Sequence, residues 1–358
     1  MAAAAGAAGD TGPTSARATT GAARARRSAI ELLACPACRG GLEPDGARLA
    51  CTGCGAAYDQ PGGIPALRAR EQADATTETV RDFYTVAPFP GYPPRDSLGS
   101  LRARAGRSEF ARLLDRAIPG DARVVEVGCG TGQMSLFLAT ADRVVIGADL
   151  TRASLELGAA ASRRFGVDKV TFVETDLRRP GLREGAFDVV YSSGVLHHTP
   201  DPRASFAALA RLVRPGGVVV LGLYNAWARV PHRLRRAVGR LTGFRWVPLD
   251  PVLRDRAAEP ARREAWLRDQ YMHPEEHRHT TREVQGWFRE HGIEYLRTYP
   301  DSLFASDRDA SEDDALFRPA EDDWGLENWV AQLSWMKTLA HEGGLWIVVG
   351  RKSETVAA

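Results

Sequence analysis

Val124-Val125-Glu126-Val127-Gly128-Cys129-Gly130-Thr131-Gly132 decides the reading of this 358-residue chain. Residues with strand character run into a glycine-spaced turn, and the apolar, helix-competent stretch Met134 to Ala139 follows. Glycine has no Cβ, so such a turn can bring backbone close to a ligand without steric cost. The next apolar run, Arg143 to Ala148, ends on Asp149. A glycine turn that follows a strand and opens a helix, with an acid ending the following strand, suits a nucleoside-bearing cofactor whose ribose hydroxyls meet the acid. A dinucleotide turn would read G-x-G-x-x-G; here the spacing is G-x-G-x-G, with Glu126 two residues ahead of the first glycine. Helix N-termini favour phosphate, but an acid beside the turn argues against a pyrophosphate and for a ligand carrying an amino group. Cys129, between two of the glycines, reads as a small packing residue.

Further segments follow in order. Ala153 to Phe165 is helical, and Val170 to Leu177 reads as a strand with Asp176 at its end. Phe187 to Pro200 reads as a strand and the loop beyond it, with His197 and His198 in the loop. Pro202 to Val213 reads as a helix, ended by Arg214-Pro215-Gly216-Gly217, and Val218 to Tyr224 as a strand. The apolar runs are continuous rather than alternating, as parallel strands covered on both faces require. With these residues in this order, the stretch from about Phe83 to Lys352 closely resembles the class I S-adenosylmethionine-dependent methyltransferases. The resemblance implies an α/β fold: a seven-stranded, mostly parallel Rossmann-like sheet with helices on both faces. It implies S-adenosylmethionine as cofactor, held by Glu126, Gly128, Gly130, Gly132, Gln133, Asp149, Leu150, Asp176, Leu177, Ser193 and Tyr84. Asp176 would sit by the adenine amino group. Taken alone, Asp149 and Asp176 read equally as helix caps.

Cys35-Pro36-Ala37-Cys38 and Cys51-Thr52-Gly53-Cys54 form a C-x2-C pair of pairs with twelve residues between. Each turn presents two thiolates to one ion, and the two complete a tetrahedral shell suited to structural zinc. Disulfides are the alternative. Leu33 to Leu67, with Arg39-Gly40-Gly41-Leu42, Tyr58 and Gly62-Gly63-Ile64-Pro65, resembles the zinc-ribbon activator subunits of tRNA, rRNA and release-factor methyltransferases. An N-terminal ribbon ahead of a methyltransferase also occurs in a family of 23S rRNA guanine methyltransferases. Loss of one cysteine is expected to unfold the ribbon and spare the main domain.

The chain divides accordingly into a disordered Ala/Gly/Thr/Arg-rich tail (1–29), the ribbon (30–70), a lid or linker with helices (71–119) and the methyltransferase domain (120–358). Within the last, insertions span 225–280 and 300–344. The tail lacks the apolar stretch of a secretory signal, and no run of about 18 apolar residues exists to span a membrane; the expected location is cytoplasmic. Phe83 to Pro94, rich in aromatics and proline, reads as a lid over the cofactor or as a packed linker. Arg107 to Ile118 reads as a helix. Thr280-Thr281-Arg282-Glu283 reads as a capping box opening a helix that Gly292 stops. Ile293 to Tyr299 and Leu345 to Gly350 read as the last two strands. Leu326, Trp329, Val330 and Leu333 share a helix face that reads as core.

Methyl transfer from a sulfonium is an in-line displacement, so positioning does most of the work. A base is needed only for a nucleophile with a tightly held proton. The catalytic candidates are His197, His198 and His273; one of His197 and His198 reads equally as an adenine contact or a loop cap. His273, His277 and His279 with Glu275 and Glu276 match no metal-site spacing. There is no Asn/Asp-Pro-Pro-Tyr after the fourth strand, and no cysteine on the fourth or fifth, which demotes amide or adenine-N6 and cytosine-C5 methylation. His197 to Pro202 resembles small-molecule methyltransferases, including those acting on quinone precursors and natural products. A small-molecule acceptor is the leading reading. An RNA methyltransferase docked through the ribbon is the second, drawing on Arg233, Arg235, Arg236 and Arg240. A net charge of +2 supplies no sustained basic face. A protein or peptide acceptor and a non-catalytic binding role are the remaining alternatives. The oligomeric state is open.

Overall fold

The computed structural model describes residues 29–69, 75–86, 88, 91–255, 260–301, 314–320, 326–339 and 343–354. The tail expected over 1–29, apart from Ala29, lies outside the described residues, as do Phe89, Pro90 and Trp324.

The main sheet has strands β4 (Ala66–Leu67), β5 (Arg123–Val127), β6 (Val144–Asp149), β7 (Val170–Thr175), β8 (Phe187–Ser193), β9 (Val213–Tyr224), β10 (Ile293–Tyr299) and β11 (Leu345–Lys352). Strands β1 (Leu42–Asp45), β2 (Arg48–Cys51) and β3 (Ala57–Asp59) form a separate antiparallel sheet in the N-terminal module. The spatial order in the main sheet is β10-β11-β9-β8-β5-β6-β7-β4. From β9 to β4 neighbouring strands are parallel, and β11 runs antiparallel between β9 and β10. The order reverses at β5, between β6 and β8, and ligands of such sheets bind beyond the strand ends at this switch point. The fold is the expected mostly parallel α/β sheet with one strand more than seven. The addition is β4, at the end of the N-terminal module.

Alternate residues of each central strand feed opposite cores. Val125 and Val127 lie in one apolar cluster; Val124, with Val145, Val189 and Val220, lies in the other. Both faces are therefore covered, which is why the strands read as continuous apolar runs. The first cluster also takes in Leu33, Leu49 and Leu67 of the N-terminal module, all fully buried. Burying each such leucine contributes about 1.5–3 kcal/mol.

The N-terminal module is sutured to the sheet. Leu67 pairs with Thr175 in the β4–β7 ladder, and Glu174 N–H donates to Pro65 O at 3.0 Å. Ala34 N–H donates to Gly181 O at 3.1 Å and Arg183 N–H to Leu32 O at 2.8 Å. Arg39 reaches Pro180 O at 2.8 Å. Arg152 Nε pairs with Glu174 at 2.8 Å while its terminal nitrogens donate to Ile64 O. A Cβ on Gly181 would stand 2.5 Å from that of Leu67, so glycine is required for this close approach.

Phe172 of β7 occupies a socket made by three glycines. A Cβ would come within 2.3 Å of its ring from Gly132, 2.8 Å from Gly147 and 2.9 Å from Gly158.

Several local expectations are corrected. The helix expected over Arg107 to Ile118 is Glu109–Ala117, opened by Ser108, which accepts from Ala111 N–H; a separate helix, Leu98–Arg107, precedes it. Strand β9 starts at Val213, five residues before the expected Val218. Thr280 does cap helix Thr281–Glu290 through Glu283 N–H, but Glu283 turns its carboxylate to His279 Nδ1 at 2.9 Å. In helix Leu326–Thr338 the buried face is Ala331, Gln332 and Trp335, with Leu339 just beyond; Trp329 is 46% exposed. Val330 and Leu333 are only half-buried, so the expected core stripe is rotated. Gln332 supplies the reason: its Oε1 accepts from Asn225 Nδ2 at 3.0 Å inside the protein.

Candidate active site

A cavity of about 470 Å3 opens beyond the ends of β5, β6, β7 and β8, within the size range of small-molecule sites. Its floor is Glu126, Gly128, Gly130, Asp149, Leu150, Asp176, Leu177 and Ser193; Gln133 lies on the first helix after the glycine turn.

The turn's glycines have different reasons. Gly128 (φ 77°) and Gly132 (φ 75°) adopt left-handed backbone that side chains disfavour. A Cβ on Gly128 would also meet Val195 at 2.2 Å. Gly132 is not on the cavity wall; it backs onto Phe172 and caps helix Gln133–Leu138. Of the residues named from the family pattern it is the one displaced from the wall.

Glu126 is held by the Ser135 hydroxyl, which donates to it. Burial pushes its carboxyl up to about 7, against the Ser135 hydrogen bonds that favour ionisation. Asp149 accepts from Gly130 N–H at 2.8 Å and Thr151 N–H at 2.7 Å, yet burial raises it too. Asp176 is different: Arg178 pairs with it at 3.0 Å, and Arg178 N–H donates to it at 2.9 Å. Two desolvated acids side by side, each harder to ionise than in water, suit a ligand that brings positive charge and hydrogen-bond donors.

Helix Ala75–Val86 roofs the cavity with Thr77, Val80, Arg81 and Tyr84, spaced to share one helix face. The following segment holds the turn down: Tyr92 Oη donates to Thr131 O at 2.8 Å, and Gln133 Nε2 to Gly91 O at 3.1 Å. Tyr84 Oη donates to Asp269 Oδ1 at 3.0 Å, and Asp269, from helix Pro260–Tyr271 of the first insertion, is on the wall as well.

The three candidate histidines separate. His198 is on the wall. Its Nδ1 lies 2.7 Å from Glu275 O, so that nitrogen carries the proton and Nε2 is the acceptor. Burial holds His198 down to about 4. His197 is off the wall, stacked on Tyr224 at 3.9 Å with both ring nitrogens buried and without a partner among the described residues. His273 is also off it, stacked on His198 at 3.6 Å and bound through Nδ1 to Glu275 O at 2.6 Å. It is a support for His198 rather than a wall residue.

Sequence reasoning assigned no role to Asp269, Thr77, Val80, Arg81 or Arg178. Only Arg178, two residues past an acid at a strand end, carried a local signal. Arg229 was also missed. It is fully buried beside Tyr224, its guanidinium 3.8 Å from the ring, and paired with Glu276 at 2.9 Å.

Cys35, Cys38, Cys51 and Cys54 converge with all four Sγ atoms within 4.8 Å of one another, and none is in a disulfide. Sγ separations of 3.4 Å (Cys38–Cys51) and 3.7 Å (Cys35–Cys54) approach the roughly 3.8 Å edge of a tetrahedral shell with bonds of about 2.3 Å. Backbone N–H groups point at the sulfurs: Gly40 at Cys38 (3.4 Å), Gly53 at Cys51 (3.3 Å). This cluster of four convergent sulfurs can hold a metal ion. It is the only such cluster among the described residues; the His273, His277 and His279 region does not form one.

Residues 125–221 match the family model described as a methyltransferase domain. An uncharacterised protein of Synechococcus sp. is 29% identical over 268 residues, 65% of this chain and 64% of that one. A ubiquinone biosynthesis O-methyltransferase of Ralstonia nicotianae is 43% identical over 98 residues, 27% of this chain and 41% of the relative. The chain thus spans under two thirds of the length of these relatives. Among solved structures, a magnesium protoporphyrin IX methyltransferase of Synechocystis with bound SAH is 16% identical with a TM-score of 0.45, covering 78% of this chain and all of that one. No helix among the described residues is long and apolar enough to cross a membrane.

Proposed function

We propose that this chain, which carries a methyltransferase domain over residues 125–221, transfers a methyl group from S-adenosylmethionine to a small-molecule acceptor. The observation that carries the reading is the pair of buried acids on one cavity wall, Glu126 and Asp149, both resisting ionisation through burial. An ammonium group opposite Glu126 and ribose hydroxyls opposite Asp149 would relieve that cost. Asp176 and Leu177 would face the base, and Tyr84 would close over it from the roof.

When bound, the cofactor supplies a methyl group activated on a sulfonium and open to in-line displacement. The chain's part is to align the acceptor and keep water out. His198, protonated at Nδ1 toward Glu275 O, offers Nε2 as a hydrogen-bond acceptor to the acceptor's hydroxyl or amine. As the new bond to carbon forms, that group's proton becomes strongly acidic and passes to Nε2. His273, stacked behind, keeps the ring in place.

A small-molecule acceptor is supported by the similarity to a ubiquinone biosynthesis O-methyltransferase across the core of the domain and by a cavity of single-ligand size. The four thiols are read as a structural zinc site, since all four positions of the shell are protein sulfur and none is open for catalysis. Unpaired thiols also support a cytoplasmic setting. The test is incubation of purified protein with methyl-labelled S-adenosylmethionine and host extract, followed by separation into small-molecule, RNA and protein fractions. Label in the small-molecule pool supports the proposal; label confined to RNA or protein overturns it and makes the ribbon a docking module.

A further inference from the structure

Behind the loop that carries Glu275 lies a second cavity of about 220 Å3, separate from the methyltransferase pocket. Helix Val230–Leu241 presents Arg233, Arg236 and Arg240 to it, at i, i+3 and i+7 on one face. Arg278 and the buried Arg229 complete a ring of five arginines, against which the described residues of the lining set a single carboxylate, Glu276. That carboxylate is already committed to Arg229 at 2.9 Å and shared with Arg236 at 3.4 Å. Among the described residues, Arg233, Arg240 and Arg278 form no ion pair, and burial, with repulsion among the arginines added to it, weakens the hold of Arg236 and Arg278 on their protons. A separate observation points the same way. Among the described residues, His232, also on the lining and 2% exposed, has both ring nitrogens buried without a partner, as is Arg236 Nε. Buried donors without partners and uncompensated cations around a concavity describe a site built for something anionic.

We propose that this cavity binds a phosphate or diphosphate group of a ligand. Guanidinium forks match phosphate oxygens in a bidentate manner, and His232 would contribute a further donor. The volume suits one or two phosphate groups rather than a nucleic-acid strand, which needs an extended basic track. The site is coupled to the first pocket through one short loop. Glu275 O accepts from His198 Nδ1 on the first pocket's side, while the next residue, Glu276, faces the arginines.

The test is calorimetric titration of the full chain with inorganic pyrophosphate at fixed ionic strength, without cofactor, using chloride as the matched control. Saturable binding is expected, weakened about tenfold or more by Arg233→Gln and by Arg240→Gln, both exposed and outside the cofactor wall. Both variants should keep wild-type affinity for S-adenosylmethionine. Two further arms identify the source of the phosphate. Co-sedimentation with phosphatidylglycerol vesicles but not phosphatidylcholine, reversed by pyrophosphate, assigns it to a lipid headgroup; no co-sedimentation assigns it to a soluble ligand. Absence of saturable binding, binding undiminished in the double variant, or RNA retention that pyrophosphate fails to displace overturns the proposal. A chain that binds pyrophosphate but no S-adenosylmethionine keeps this site and loses the methyltransfer reading.

Discussion

Tyr84 Oη donates to Asp269 Oδ1 at 3.0 Å, joining residues 185 positions apart across the mouth of the cavity. Tyr84 belongs to the roof helix and Asp269 to the first insertion, so this bond ties those two segments together over the cavity. Phe83 adds to the same junction, with its ring 5.2 Å from that of His273 and the Arg268 guanidinium 5.2 Å over it.

If this bond latches the lid, Tyr84→Phe and Asp269→Asn should each weaken cofactor affinity by about tenfold, the scale of a hydrogen bond to a charged group. The double variant should be little worse than either single one. Calorimetry checks this. Strictly additive losses would mean that the two side chains act separately.

Burial lifts Glu126 to about 7, against an ordinary value of 4.5. Between those values the folded protein holds a proton that the unfolded chain has released. Its contribution therefore favours the folded state at low pH and is lost as pH rises from about 4.5 to about 7. A cofactor bearing an ammonium group needs the ionised form, so affinity should climb by up to about tenfold per pH unit below 7 and level off above it. In Glu126→Gln the climb should flatten. Isothermal titration across pH 5.5 to 8.5 reads it, and a wild-type profile without slope would remove Glu126 from the ammonium site.

Full-length protein should carry about one zinc per chain by mass spectrometry, and Cys54→Ser should lose it. The sequence suggests that the damage would stop at the ribbon. The β4–β7 pairing and the Arg152 bridge between Ile64 and Glu174 argue otherwise. Removing zinc with a chelator should therefore also reduce cofactor affinity, since Thr175 belongs to that ladder and Asp176 follows directly on it. Zinc-free protein with unchanged affinity would show the module to be thermodynamically separate.

His197 and His198 are adjacent and should behave differently. His198→Gln is expected to lower kcat by about a hundredfold while leaving cofactor affinity nearly unchanged. His197→Ala should instead lower the melting temperature, because it empties a buried site stacked on Tyr224. Reversal of the two phenotypes would exchange their roles.

The sheet was legible because its signals are local. The Val124–Gly132 turn, the acids ending β6 and β7 and the continuous apolar runs each lie within a few consecutive residues. The paired C-x2-C spacing is local for the same reason. What stayed hidden depends on distant partners. Nothing near Asp269 announces Tyr84, and nothing near Arg229 announces Glu276. The choice between His197 and His198 turns on the short 3-10 turn Leu196–His198, which sends neighbouring side chains in different directions. Gln332 misled in the same manner, since its buried bond to Asn225 rotates a helix whose apolar pattern suggested another face.

The socket around Phe172 has a bearing on how this protein can vary. Gly132, Gly147 and Gly158 come from a turn, a strand and a helix, yet all three abut a single ring. No one of them can gain a methyl group while the ring stays. A library randomising Gly147 alone should return glycine, whereas one that also shrinks position 172 to valine opens room for alanine there, since the ring is the nearest obstacle. The four positions form one unit of inheritance, and a lineage that keeps the phenylalanine must keep the glycines with it.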